Sequence, residues 1–285
     1  MTLLHRSKGS PSQLNGWQKF AVYALLLILA LIMLYPIGLV LNISLKSTAE
    51  YYADPIGLVQ QPVFENYVIV FKDLQVLQKF FTTIFLSGTA TIITVSAAAL
   101  AAYPISRMHF KAAKYVYALI LASMFFPSSL IANITLMKDI LGIYGSPLAL
   151  ILIWSIGGLQ LYTFMFVGFL KQIPRELEEA AVMDGAGYFK AYIKVVLPLM
   201  KPIIATVFIL KIIGTWNDFL SPYIYISNPA LRTLSTGLYT YMGQFSSKWN
   251  YLSVSIVLVA LPMVILYLFL QKYIIEGIAA GAIKG

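Results

Sequence analysis

The chain has 285 residues, of which 60% are hydrophobic and 11% charged, with a net charge of +9 and no cysteine. This lies far from the usual soluble mix, and the lack of cysteine excludes disulfides, thiolate nucleophiles and Cys-ligated metals. The basic balance raises nucleic acid as a partner, but the placement of the charges argues against it.

The apolar residues form six blocks, each of roughly the 20 residues a helix needs to cross the hydrocarbon core. The first, Ala21–Ile43, exceeds a signal-peptide h-region and has no A-x-A-like cleavage site after it, so it reads as a retained span. A segment from Ser44 to Lys79 follows, punctuated by "ADP" and "QQP". The second block, Phe80–Tyr103, carries Ala90, Thr94, Ala98 and Ala102 at four-residue spacing, a small stripe that lets another helix approach closely. The basic loop "RMHFKAAK" leads to the third block, Tyr115–Leu136, which contains Pro127. The link "KDILGIYGSP" leads to the fourth, Leu148–Leu170, with Gly157, Gly158 and Gln160 near mid-depth. After a long polar segment, 171–201, come the fifth block, Pro202–Pro222, a loop from Tyr223 to Tyr251, and the sixth block, Leu252–Gln271, with Pro262. Pro127 and Pro262 are expected to mark kinks. The expected class is an all-α integral membrane protein of one domain, with six transmembrane helices and no soluble domain.

With the N-terminus inside, thirteen of the twenty Lys and Arg residues fall on the cytoplasmic side. Six fall outside (Lys46, Lys72, Lys79, Lys138, Arg232 and Lys248), and Lys211 lies within a span. This is the positive-inside bias, and it predicts both termini in the cytoplasm. The charge therefore answers to the membrane and not to nucleic acid.

Several chemistries lack their residues. No G-x-x-x-x-G-K-[ST] phosphate-binding loop occurs in the chain. His5 and His109 have no histidine or carboxylate partners at metal-ligand spacing. Paired intramembrane carboxylates, the mark of many proton-driven carriers, are missing, and Asp218 stands alone.

The segment 171–201 breaks the pattern, because four of the eleven acids lie between Glu176 and Asp184. Pro174 suits the first turn of a helix, and Glu176, Glu178 and Glu179 fall where the helix dipole favours acids. Gly185 offers a left-handed stop. In the helix expected next, Phe189, Tyr192, Ile193 and Val196 make one apolar face, and Pro198 is expected to break it before the fifth span. The reading is a helix–turn–helix on the cytoplasmic membrane face. Periodicity leaves two roles open, an interfacial linker or a functional element.

Glu179-Ala180-Ala181, three residues, Gly185, nine residues, then Val195-x-Leu197-Pro198 resembles the EAA motif of ATP-binding-cassette importer permeases, with Val195 where isoleucine is commoner. "ENY" at Glu65–Tyr67, "TWNDF" at Thr215–Phe219 and the ending "AAGAIKG" resemble the maltose-type permease subunits of carbohydrate importers. The resemblance implies that 171–201 is a coupling loop seated in a cleft of a separate ATPase subunit. It makes Glu178, Glu179, Ala180, Ala181, Asp184, Gly185, Leu197 and Pro198 the coupling residues. It further implies a homologous permease subunit, two ATPase subunits that bind ATP and Mg, an external solute-binding protein, a sugar-like substrate and a bacterial inner-membrane location. The chain itself is then expected to hold no cofactor and no metal.

Within the spans, Lys211 lies about ten residues into the fifth block, roughly 15 Å deep at 1.5 Å per residue. Asp218, seven residues on, returns to nearly the same face, with Asn217 beside it. Buried ionisable groups usually face a bundle interior or a watery cavity. Lys211, Asn217, Asp218 and Gln160 are the candidates for a substrate route, and the alternative is that Lys211 pairs with a neighbouring helix and fixes packing. Trp154 and Trp216 are either cavity aromatics or lipid-facing residues. The rival to an importer subunit is a self-sufficient secondary carrier or channel for a small polar solute, which would need coupled intramembrane acids and no docking element.

Overall fold

A computed structural model of the chain describes residues 15–108, 111–126, 129–242 and 248–282, by backbone alone at residue 270 and residues 272–282. His5, His109, Pro127 and Lys284 lie outside the described residues. The described part is helical, and the single extended pairing in it is a parallel bridge between Gly145 and Ile226.

The chain runs through α1 (Gly16–Ser44), α2 (Thr48–Ala53), α3 (Glu65–Asp73), α4 (Val76–Arg107) and α5 (Ala113–Ser123). It continues as α6 (Leu130–Thr135), a π turn over Leu136–Ile140, α7 (Pro147–Ile156) and α8 (Leu159–Leu170). Next come α9 (Glu176–Met183), α10 (Tyr188–Ala191), a second π turn over Tyr192–Val196, α11 (Leu197–Leu199) and α12 (Lys201–Asn217). The last elements are α13 (Leu220–Tyr225), 3₁₀ turns at Pro229–Leu231 and Leu234–Tyr241, and α14 (Trp249–Ala282).

Each apolar block falls on helix, though not all as single rods. Among the described residues, Gly16–Ser44, Val76–Arg107 and Trp249–Phe269 are long and apolar enough to cross a membrane unbroken. The fourth block is two helices, α7 and α8, bent by 41° at Gly157–Gly158. There the Gly158 backbone has φ +83°, a conformation that L side chains rarely adopt. The fifth block departs from expectation: α12 stops at Asn217, Asp218 is extended, and α13 starts at Leu220. The third is α5 and then α6, with residues 127–128 undescribed between them. Helix α14 continues through Pro262.

Helix α4 is the packing axis. Ala90, Thr94, Ala98 and Ala102 are all fully buried, where the chain lies against α7, α8 and α12. The opposite face, with Phe81, Phe85 and Ile92, is exposed and equally apolar. A helix with one small face and one large apolar face suits a bilayer, where close backbone approach replaces the hydrophobic effect as the source of packing energy. The buried hydroxyls of Thr83, Ser87, Thr94 and Ser155 each donate to the carbonyl four residues back, whereas that of Thr91, also buried, has no partner among the described residues. Ala98→Leu should overpack this seam at a cost of about 1–3 kcal/mol. The check is the thermal unfolding midpoint of the detergent-purified protein, and an unchanged midpoint would mean the seam is loose.

The turn after α1 is held by Asn66, the middle residue of "ENY", whose Nδ2 donates to Ser44 O and Lys46 O at 2.9 Å each. Lys46 is itself buried and donates to Asp54 O at 2.6 Å. Tyr241 closes the same end by donating to Asp73 Oδ2 at 3.2 Å, and burial and then that carboxylate push its phenol pKa up. The central asparagine of the motif therefore fixes the loop.

Candidate functional site

The acid-rich element forms as its local chemistry dictates. Helix α9 carries Glu176, Glu178 and Glu179 in its first turn, next to the positive end of the helix dipole. It ends in a two-bond C-cap, with Gly185 N donating to Val182 O and Ala186 N to Ala181 O, both at 3.0 Å. Gly185 has φ +83°, and a Cβ there would meet no atom within 4 Å, so backbone conformation alone calls for glycine. Two prolines act differently from expectation. Pro174 lies before the helix and outside its first turn. Pro198 does not break the second helix, which runs on to Leu199. The π turn just before it widens the backbone, Leu197 N bonding to Tyr192 O, and this accommodates a residue with no N–H. The sharp change of direction, 73°, comes instead between Leu199 and Lys201.

The two adjacent acids face opposite ways. Glu179 and Ala180 are exposed, Ala181 is half-buried, and Asp184 is an exposed C-cap. Glu178, expected among the outward coupling residues, is buried. Its Oε1 meets Arg107 Nε of α4 at 2.7 Å, with the two side chains only 11% and 6% exposed. Arg107 Nη2 also donates to Ile173 O at 2.8 Å, and Arg175 Nη2 to Ser106 O at 3.1 Å. The expected apolar face splits in the same manner. Tyr192 and Val196 are buried, with the Tyr192 ring 4.7 Å from Tyr103, whereas Phe189 and Ile193 are exposed. Leu197 is half-buried and Pro198 exposed. Between α4 and α9 lies a cavity of about 410 Å³ lined by Tyr103, Arg107, Arg175, Glu178, Glu179 and Tyr188. Met183, Tyr188 and Phe189 surround the turn as an exposed apolar rim.

The intramembrane candidates form a second cluster. Lys211 is buried, and its Nζ donates to Trp154 O and to Gly157 O, the latter at 2.6 Å. These carbonyls belong to the end of α7, where helix geometry leaves acceptors without partners and a cation is favoured. Asp218 Oδ2 accepts from Trp154 Nε1 at 2.8 Å, and its Oδ1 accepts from Ser221 N at 3.0 Å at the start of α13. Trp216 Nε1 donates to Val259 O at 3.1 Å. Both tryptophans are therefore buried and hydrogen-bonded and not lipid-facing, and each lines the wall of a cavity. The breaks of the fourth and fifth blocks are thus locked to each other through Lys211, Trp154 and Asp218. They border a cavity of about 320 Å³ that Tyr162 and Thr215 also line. Asn217 is exposed and Gln160 half-buried, and no hydrogen bond joins them to this cluster. Among the described residues no group of three His, Asp or Glu stands at metal-binding spacing.

Sequence reasoning overlooked Arg107. Its one signal was position, the last residue of the small-striped helix and the side opposite an acid cluster.

An all-α chain with several apolar spans, two of them broken and cross-locked inside the bundle, and a helix–turn–helix fastened to one end, defines a multi-pass membrane permease. More narrowly, the chain belongs to the family of binding-protein-dependent transport system inner membrane components, whose signature matches residues 93–279. It is 34% identical to the sulfoquinovosyl glycerol transport system permease protein SmoH of Agrobacterium fabrum, over 88% of this chain and 89% of the relative. It is 30% identical to the melibiose/raffinose/stachyose import permease protein MelC of Bacillus subtilis, over 88% and 91%. The solved structure of a bacterial ABC transporter involved in the import of the acidic polysaccharide alginate shares the fold. Its TM-score is 0.80 at 24% identity, covering 93% of this chain and 99% of that one.

Proposed function

We propose that this chain is one permease subunit of an ATP-binding-cassette importer for a sugar or sugar-like solute. Six spans, close to the six apolar blocks, cross the inner membrane with both termini in the cytoplasm. The chain works with a homologous permease subunit, two ATPase subunits and an external solute-binding protein. ATP and Mg sit in the ATPase, and this chain moves by alternating access. The family, and relatives named for sulfoquinovosyl glycerol and for melibiose, raffinose and stachyose, support the importer and its solute class.

One observation carries the coupling role: α9 and its Gly185 turn present Glu179, Ala180 and an apolar rim outward while Glu178 anchors the element inward. Small residues permit close approach, Glu179 offers a charge to a basic group, and Met183 offers an adaptable apolar contact. Lys211 and Asp218, which border the cavity at the cross-locked breaks, stand in the walls of the substrate route, with Gln160 and Asn217 as its further candidates. Glu179→Lys should lower co-purification of the ATPase by about tenfold, the scale of one lost charge-assisted contact. The variant should still reach the membrane at normal levels. Full co-purification with the charge reversed would remove Glu179 from the docking surface.

A further inference from the structure

We propose that the Arg107–Glu178 pair makes α4 the lever by which movement of the coupling element reaches the spans, an inference that rests on the coupling role proposed above for 171–201. The covalent route from that element runs into α12, and it is a compliant one. It passes a π turn at Tyr192–Val196 and then a 73° bend at Met200, which turns a push away from the helix axis. The route through α4 is stiffer. The ion pair is 2.7 Å long and almost wholly shielded from water, so opening it would leave a buried charge uncompensated, a strongly unfavourable state.

Two further bonds run beside the pair in opposite directions. Arg107 of α4 reaches Ile173 ahead of α9, and Arg175 ahead of α9 reaches back to Ser106 of α4. On the other half of the element, Tyr192 stacks on Tyr103 of the same helix. Both halves of the helix–turn–helix are therefore fastened to the last turns of α4.

From there α4 runs 32 residues as one continuous helix, with Pro104 three residues from Arg107. Midway along it, the Thr94 hydroxyl lies 2.9 Å from Ser155 O and shares its one proton between that carbonyl and Ala90 O. Ser155 lies in the last turn of α7, beside the Trp154 carbonyl that Lys211 holds. One rigid rod thus joins the docking element to the locked breaks, a contiguous network of the sort that carries coupling between distant sites. Arg107 acts through other residues and touches neither solute nor ATPase; it is a positioning residue.

The test is made on the assembled importer in proteoliposomes with its solute-loaded binding protein. ATPase co-purification, unstimulated hydrolysis and stimulated hydrolysis are read separately. Arg107→Gln should keep the ATPase bound while the ratio of stimulated to unstimulated hydrolysis, and transport with it, falls by about tenfold, within the usual range of coupling between sites. The exchange Arg107→Glu with Glu178→Arg restores the opposite charges and should recover part of that ratio. If Arg107→Gln does not accumulate, Glu178→Gln carries the test, since it removes the ion pair and leaves the Arg107–Ile173 bond. Unchanged stimulation in the assembled variant overturns the lever. So does joint loss of ATPase binding and stimulation in every variant, because the pair then only shapes the docking surface. The underlying coupling reading fails on a different result, full co-purification and full stimulation with Glu179→Lys.

Discussion

Lys211→Met is expected to cripple transport of every solute the importer carries and to lower the thermal stability of the purified protein. Methionine nearly fills the volume of lysine but donates no hydrogen bond. Two carbonyls at the end of α7, the buried one of Trp154 and the part-buried one of Gly157, lose their partner at once. Each such loss costs about 1–3 kcal/mol where the carbonyl stays buried. Part of that cost is offset because a buried cation is no longer dehydrated. What remains falls on the 41° break between α7 and α8, and on Asp218, which still holds Trp154 from the other side. Since about 1.4 kcal/mol is a factor of ten in an equilibrium, transport should fall by about tenfold or more. Transport assays with several solutes, alongside unfolding midpoints, decide the matter. A change in solute preference at an unchanged midpoint would return Lys211 to the substrate route and remove it from the clamp.

Gly185→Val is expected to separate ATPase binding from transport. The backbone at Gly185 has φ +83°, and a β-branched residue held there is strained by about 1–3 kcal/mol. No atom lies within 4 Å of the added Cβ, so the variant meets no clash and the whole penalty is conformational. The turn relieves it by giving up the two bonds to Val182 O and Ala181 O, and α10 then swings relative to α9. Glu179 and Ala180 keep their place on α9, because Glu178 still holds that helix to Arg107. The ATPase should therefore co-purify while solute-stimulated hydrolysis falls by about tenfold, a typical coupling loss. Gly185→Asn, which tolerates the left-handed region better, should fall less far. Equal and full stimulation in both variants would mean the turn carries no coupling.

Much of this protein could be read in order along the chain. Span length and composition need only local counting, so among the described residues each apolar block is mostly helix. The α9 start, its acids and its glycine stop are settled within about one turn of helix, the range over which dipole and capping act. The small stripe on α4 is likewise a matter of spacing, and burial of Ala90, Thr94, Ala98 and Ala102 follows from it. Proline was less legible: Pro198 looked like a breaker, but a π turn absorbs it at no break in the helix.

What the chain order could not decide is which partner each charged group meets. Glu178 and Glu179 are neighbours with like chemistry, yet a helix turns about 100° between them, and only one direction contains Arg107. Lys211 looked equally suited to a solute or to a neighbouring helix. Its acceptors are carbonyls 57 and 54 residues away, exposed only because α7 ends at a glycine pair facing α12. The fifth span stops at Asn217 for the same kind of reason, since Asp218 leaves the helix to accept from Trp154 across the bundle and to cap α13. Local sequence determined the helices and their ends because propensity, capping and span length are short-range. Tertiary structure decided the clamp and the lever, because a buried charge goes where folding has put its counter-charge or a spare acceptor.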